Sequence, residues 1–255
     1  MLHATRLRYI VEKIERDDTV KIEDLTRELQ VSAITVRRDL ERLEQDGVVH
    51  RIHGGAMRKG FLDHEEKYDV KKTSNHNKKR AIAAECLPMI PENGTVIIDA
   101  GTTTYEIAQL LVNRKDVTAI TYDIRVGALL YQARLKTFMA GGEIQLGTGC
   151  ILGPATESFI ESVRADVVFI GTSSISSDGT LFTPTMGKAS LKALAIKSAS
   201  RAVLVADSTK FDKISIWKIC HASVFDDLVT DRQLTENAVQ ALGLSNVTIH
   251  HTGSV

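Results

Sequence analysis

Two short constellations in this chain hold residue types that do chemistry. The first is Asp99-Ala100-Gly101-Thr102-Thr103-Thr104, placed between the apolar run Val96-Ile97-Ile98 and a helical stretch that continues to Leu111. Threonine hydroxyls, backbone N–H groups at a helix start and a glycine that lets the backbone approach closely can hold a phosphate without a Walker loop. The same residues could merely cap a helix, and on spacing alone both readings stand. The second constellation runs from Ser32 through Thr35, Arg37 and Arg38 to Arg42, with Arg51 and His53 a few residues beyond. Ser32 can accept from an orphan N–H of a first helical turn. Thr35, Arg37 and Arg38 stand near that helix start, where recognition helices meet base edges and phosphates. A lone arginine pair reads as a solvated helix face. A capped helix followed by a basic hairpin favours a grip on duplex DNA.

Further polar residues fall where strands should end. Thr121 and Asp123 follow one apolar run, Gly141-Gly142 another, Gly171-Thr172-Ser173 a third and Asp207 with Lys210 a fourth. Lys188 and Lys192 lie on a helix after Pro184. In open α/β sheets ligands bind beyond the carboxyl ends of strands, so these residues join Asp99, Gly101 and the three threonines as candidates. Each lysine taken singly reads as a surface charge.

The elements that must position these groups follow from apolar periodicity. Leu7, Ile10, Val11 and Ile14 predict a helix over 5–15, and Leu25 with Leu29 a second over 23–30. Ile34 or Val36, with Leu40 and Leu43, gives the buried stripe of a third over 32–45, which Gly47 would close. Val20 and Ile22 suit a short strand pairing with a wing strand over 48–52 that stops at Gly54-Gly55. Too few residues separate Leu29 from Ser32 for a long loop, so two helices meet there at a sharp angle. From residue 95 the pattern becomes strand alternating with helix. Strands are expected over 96–98, 117–121, 137–140, 165–170, 202–206 and 228–230, with an edge strand over 247–250. Helices fill 105–111, 124–134, 156–163, 188–198 and 236–242. That alternation predicts an α/β domain with a mainly parallel sheet. The expected organisation is a winged helix-turn-helix over 1–57 (helix-turn-helix about 20–39), a polar linker over 58–76 and an α/β domain over 77–255.

Ser32, Thr35, Arg37-Arg38-Asp39-Leu40, Leu43, Gly47 and Arg51 with His53-Gly54-Gly55-Ala56 resemble the amino-terminal signature of the DeoR-type bacterial repressors. The Asp99–Thr104 turn, Gly141-Gly142, Gly153-Pro154 and the stretch from Ala206 to Phe211 resemble the sensor domain of the same family. The resemblance implies a transcriptional regulator of carbohydrate metabolism whose sensor takes a phosphorylated sugar. It favours the phosphate cradle and a fold like that of the sugar-phosphate isomerases. An enzyme with an accessory DNA-binding arm is therefore the alternative. The family's usual Gly-Ala-Asp-Gly-Ile segment is here Gly171-Thr172-Ser173-Ser174-Ile175, a later glutamate is replaced near Gly187-Lys188, and Tyr122 stands where asparagine is usual. Isomerisation needs a carboxylate base, so these departures weigh against catalysis.

The rest of the chain bounds the reading. The 255 residues suffice for one small and one larger domain, with 43% hydrophobic and 25% charged side chains. Thirty-two basic and thirty-two acidic residues balance, which speaks against coating nucleic acid everywhere but not against a local reading face. No acidic residue occurs over 47–62, where Arg51, Arg58 and Lys59 lie. The three cysteines, Cys86, Cys150 and Cys220, are widely spaced, fitting neither a disulfide framework nor zinc and suiting a reducing cytoplasm. No membrane span or signal-peptide pattern is expected, and nothing calls for a metal or cofactor. His250-His251 reads as exposed tail. The expected partners are an operator, a phosphorylated sugar effector, and further copies of the chain in a dimer or tetramer.

Overall fold

The computed structural model describes residues 3–46, 48–52, 54–58, 61–62 and 65–253. The chain divides into two compact units, Met1–Phe61 and Leu62–Val255. Gly47 and His53, expected as a helix terminator and a wing contact, lie outside the described residues.

The first unit is built on helices His3–Asp17, Ile22–Leu29 and Ala33–Gln45. Ile10, Ile14, Leu25, Leu29, Val36, Leu40 and Leu43 interdigitate in one core. Burying each such side chain contributes about 1.5–3 kcal/mol. Ile22 opens the second helix rather than extending the strand before it. Val36, not Ile34, faces the core, and Ile34 is 61% exposed. The second helix ends at Gln30 in the left-handed conformation, which turns the chain sharply into the third. Strand Gly55–Arg58 pairs antiparallel with both Val49–Ile52 and Thr19–Lys21. Glycine is required at 55, because a Cβ there would stand 2.0 Å from the Val20 carbonyl oxygen. Beneath the third helix Asp39 is 2% exposed and accepts from two nitrogens of the Arg6 guanidinium on the first helix.

The second unit is a seven-stranded, all-parallel sheet in the order Thr248–His251, Asp227–Thr230, Ala199–Val205, Ala165–Gly171, Thr95–Ile98, Thr118–Thr121, Thr137–Met139. Its strands are apolar on both sides, as a sheet covered by helices requires. Val96, Ile98, Val167 and Phe169 face a core with helices His76–Cys86, Thr102–Leu111 and Ile124–Gln132. Ile97, Val168 and Ile170 face the opposite core with helices Pro154–Glu161 and Met186–Lys197. The chain lays strands outward to one side of Thr95–Ile98, then returns to place Ala165–Gly171 on its other side. The gap between these two strands is the switch point of the sheet.

Three features depart from expectation, the first being His250, which is not exposed tail but part of strand Thr248–His251, with its Nε2 2.7 Å from Asp227 Oδ1. The stretch 58–76 is not a plain linker. Its residues 65–76 belong to the second unit and include helix Tyr68–Thr73. Tyr68 is buried, edge-on to Tyr105 at 6.1 Å, with the Arg125 guanidinium 4.0 Å from its ring centre. A three-stranded antiparallel sheet of Ser174–Ile175, Thr180–Thr183 and Trp217–His221 also stands outside the expected strands. Among the described residues no helix is long and apolar enough to cross a membrane, and no cluster of His, Cys, Asp and Glu could hold a metal ion.

Candidate functional site

The amino-terminal unit presents one cationic helix start. Ser32 caps the third helix by accepting from the Thr35 N–H at 3.2 Å, and the two hydroxyls lie 3.0 Å apart. Arg37 and Arg38 are exposed, and among the described residues neither has a carboxylate within 4.0 Å. Ile34 stands beside them, an apolar group suited to a thymine methyl. Sequence reasoning offered Ile34 to the core, although two residues of helix separate it from Val36 by more than half a turn. Arg42 and Arg51 are less free. Arg42 lies 3.9 Å from Asp46 and Arg51 4.0 Å from Glu41, while the Arg51 N–H donates to Glu44 at 2.9 Å. Of the four arginines expected on the DNA-reading face, Arg37 and Arg38 are thus the two without a carboxylate within 4.0 Å among the described residues.

The second unit opens a crevice at the switch point of its sheet, a cavity of about 350 Å³. Gly101, Thr102, Thr103, Thr104, Thr172, Lys188, Lys192, Asp207 and Lys210 line it, all expected as candidates. The first strand ends at Ile98, and the Thr102–Leu111 helix begins without a side-chain cap. Its first backbone bond runs from the Tyr105 N–H to Gly101. Among the described residues the N–H groups of Thr102, Thr103 and Thr104 have no acceptor, so the helix offers its positive end to the cavity. Below them Asp99 is fully buried. It accepts from the Tyr122 hydroxyl and the Gly171 N–H, each at 2.8 Å, and pairs with Lys192, which also donates to the Gly171 carbonyl at 3.0 Å. Asp99 thus ties the two diverging strands together beneath the cavity rather than lining it.

Four other candidates are not brought to the cavity. The Thr121 hydroxyl donates to Ile98 at 2.9 Å and accepts from the Asp123 N–H at 3.1 Å, bracing neighbouring strands. Asp123 turns into the next helix, accepting from the N–H groups of Arg125 and Val126. The Gly141 carbonyl accepts from Thr156 at 2.8 Å, and Gly142 packs where a Cβ would stand 2.4 Å from the Thr156 hydroxyl. These residues follow the strands laid outward from the switch point, so strand ends alone did not separate binders from braces.

The cavity also gathers residues that sequence reasoning passed over: Glu65, Lys71, Ser74, Asn75, Lys79, Thr183 and Lys213. Lys188 and Lys192, expected singly as surface charges, are 4% and 5% exposed. Burial pushes the Lys188 and Lys210 ammonium groups below the ordinary lysine value, and Lys79 down to about 8. Burial works against the ionised form of Glu65 too, yet Lys188 and Lys71 hold its carboxyl below the usual range. Among the described residues Lys210 and Lys213 have no carboxylate within 4.0 Å. Asp207 Oδ1 accepts from the Thr209 N–H at 2.9 Å, whereas Asp207 Oδ2 and Thr183 Oγ1 are buried without a partner. The arrangement offers unpaired cations and open N–H groups to an anion, and an open acceptor and a hydroxyl to a hydroxylated ligand.

Comparison with known proteins places both sites in one frame. Residues 6–59 match the DeoR-like helix-turn-helix domain and residues 74–232 the DeoR C terminal sensor domain. The HTH-type transcriptional regulator GlpR of Haloferax volcanii is 32% identical over 98% of this chain and 98% of its own. The glycerol-3-phosphate regulon repressor of Escherichia coli is 31% identical over 98% of each chain. The HTH-type transcriptional repressor CsqR of Escherichia coli is 32% identical over 83% of this chain and 81% of its own. Ribose 5 phosphate isomerase A from Neisseria gonorrhoeae overlays 53% of each chain at a TM-score of 0.40 and 17% identity, a partial overlap.

Proposed function

We infer, since the chain belongs to the DeoR family of helix-turn-helix transcriptional regulators, that it represses a carbohydrate-metabolism operon and that a phosphorylated sugar controls its hold on DNA. The observation that carries the reading is the cationic crevice at the switch point. Its open helix start at Thr102–Thr104, flanked by Lys210 and Lys213, suits a phosphate. The unpartnered Asp207 Oδ2 and Thr183 Oγ1 suit sugar hydroxyls, which would satisfy buried groups left open in the protein. Ser32, Thr35, Arg37 and Arg38 would set the third helix in the major groove, with Arg51 toward the phosphate backbone.

The effector acts by linkage. It shifts the balance between DNA-competent and incompetent arrangements only as far as it binds one more tightly than the other. Two or four copies, joined through the α/β domains, would read repeated half-sites on the chromosome in the cytoplasm. In this reading the crevice binds its ligand without converting it, which accords with relatives named as transcriptional regulators. Asp99, the carboxylate directly beneath the threonine turn, is committed to Lys192, Tyr122 and the Gly171 N–H, so it offers no ready base for proton transfer.

The test is retention of genomic fragments at physiological salt, with and without a pool of sugar phosphates. The expected result is recovery of a few fragments sharing a repeated motif, released by one compound. Equal retention of all fragments, or conversion of a sugar phosphate by the protein, would overturn the reading.

A further inference from the structure

Four of the six lysines at the cavity fall into two pairs, and Lys79, which donates to the Lys71 and Ser74 carbonyls, stands outside both. Lys210 and Lys213 are without carboxylate partners within 4.0 Å among the described residues and share the cavity with the Thr102–Thr104 helix start. Lys71 and Lys188 form the other pair. Glu65 lies between them, 2.5 Å from the Lys71 ammonium and 3.3 Å from that of Lys188. Lys192 belongs to neither, since Asp99 and the Gly171 carbonyl hold it.

Glu65 is an unusual partner for so buried a lysine. An ammonium at 4% exposure needs a closely placed anion to offset its lost hydration. Among the described residues the one within 4.0 Å comes from outside the α/β framework. Glu65 stands three residues after Leu62, the start of the second unit, ahead of helix Tyr68–Thr73. Its fit is imperfect as well: the oxygen facing Lys188, Glu65 Oε2, is buried and meets that ammonium only at 3.3 Å, without hydrogen-bond geometry. A carboxylate on a short entering segment, in the ligand cavity and incompletely bonded, is built to be exchanged.

We propose that the effector carries a carboxylate besides its phosphate, and that this carboxylate takes the place of Glu65 between Lys71 and Lys188. The ligand class is a phosphorylated sugar acid. Its phosphate lies at the Thr102–Thr104 helix start with Lys210, its hydroxyls meet Asp207 and Thr183, and its carboxylate displaces Glu65. The effector thereby frees the segment leading from the DNA-binding unit. The inference rests on the effector reading above and narrows it.

Matched ligand pairs test it by titration calorimetry on the full chain. The pairs are erythrose 4-phosphate with erythronate 4-phosphate, ribose 5-phosphate with ribonate 5-phosphate, and glucose 6-phosphate with gluconate 6-phosphate. For at least one chain length the acid should bind tenfold or more tightly than its aldose. In Lys188→Met that ratio should fall toward one. In Glu65→Gln, which removes the competing charge while keeping the side chain's size, the acid should bind several-fold more tightly than in the parent. Hydrogen exchange over 65–73 should quicken when the acid binds. Aldoses and acids binding alike, or a preference that survives in Lys188→Met, would overturn this inference and leave the sugar-phosphate reading standing. Binding of no member of any pair would overturn both.

Discussion

Replacing Asp39 with Ala tests whether the recognition helix is held by a buried ion pair. Asp39 sits in the middle of that helix, 2% exposed, and Arg6 reaches it from the first helix at 9% exposure. Removing the carboxylate leaves a guanidinium in the core without its anion, which costs about 3–5 kcal/mol. The unit spans 61 residues, and at roughly 0.05–0.15 kcal/mol per residue its whole stability is about 3–9 kcal/mol. The substitution therefore removes about a third or more of what holds the unit folded. In a small domain each kcal/mol moves the melting point by about 4–8 °C, so its transition should fall by roughly 12 °C or more. Scanning calorimetry on the full chain should show that transition displaced or lost, with the sensor transition in place. Operator binding should fail while effector binding persists. Arg6→Met with Asp39→Leu removes both charges and should restore much of the stability. A melting point within about 2 °C of the parent in Asp39→Ala would refute the reasoning. So would a double variant less stable than the single one.

Three further outcomes follow from the sites. Arg38→Ala should weaken operator binding by about 1–3 kcal/mol and flatten its salt dependence; fluorescence anisotropy across a salt series reads both, and an unchanged slope removes Arg38 from the contact set. Thr103→Val deletes one hydroxyl from the threonine turn and should weaken the effector by roughly fivefold to tenfold without changing operator affinity in its absence, as calorimetry and anisotropy will show. Burial raises the Asp123 carboxyl from 3.8 to about 6, so the folded state holds this proton more tightly than the unfolded chain. Stability from this group is greatest below about pH 4 and declines as pH rises to about 6. Asp123→Asn keeps the helix cap and removes the charge, so it should add on the order of 2–3 kcal/mol at pH 7–8 and nothing near pH 4. Equal melting shifts at both pH values would contradict that.

What was legible in the sequence was whatever repeats at a fixed period or sits beside a strand end. Val96-Ile97-Ile98 reads as a covered strand because both its faces are apolar, and both faces are covered. The antiparallel strands Ser174–Ile175 and Thr180–Thr183 were not legible, since two to four residues with mixed polarity carry no period. The threonine turn, Thr172, Asp207 and Lys210 were legible as strand-end polar groups, and Lys188 and Lys192 as cations on the helix after Pro184, although their burial was not. Asp123 and Thr121 share that signature and turn inward to brace the backbone, a matter of side-chain direction that spacing does not encode. Glu65 and Lys71 looked like solvated connector because only tertiary packing carries them into the cavity.

The Thr102–Leu111 helix begins at Gly101 with its first N–H groups uncapped. Gly101 has φ 178, an extended conformation open to any residue. Asp or Ser at 101 would close the helix start from within and add about 1 kcal/mol or less. That gain would come from filling the place an incoming anion needs. Heat tolerance and obedience to a metabolite are therefore opposed at this position. A population of the gene selected only for thermal endurance would drift toward chains that sit on their operators and no longer hear the signal to leave.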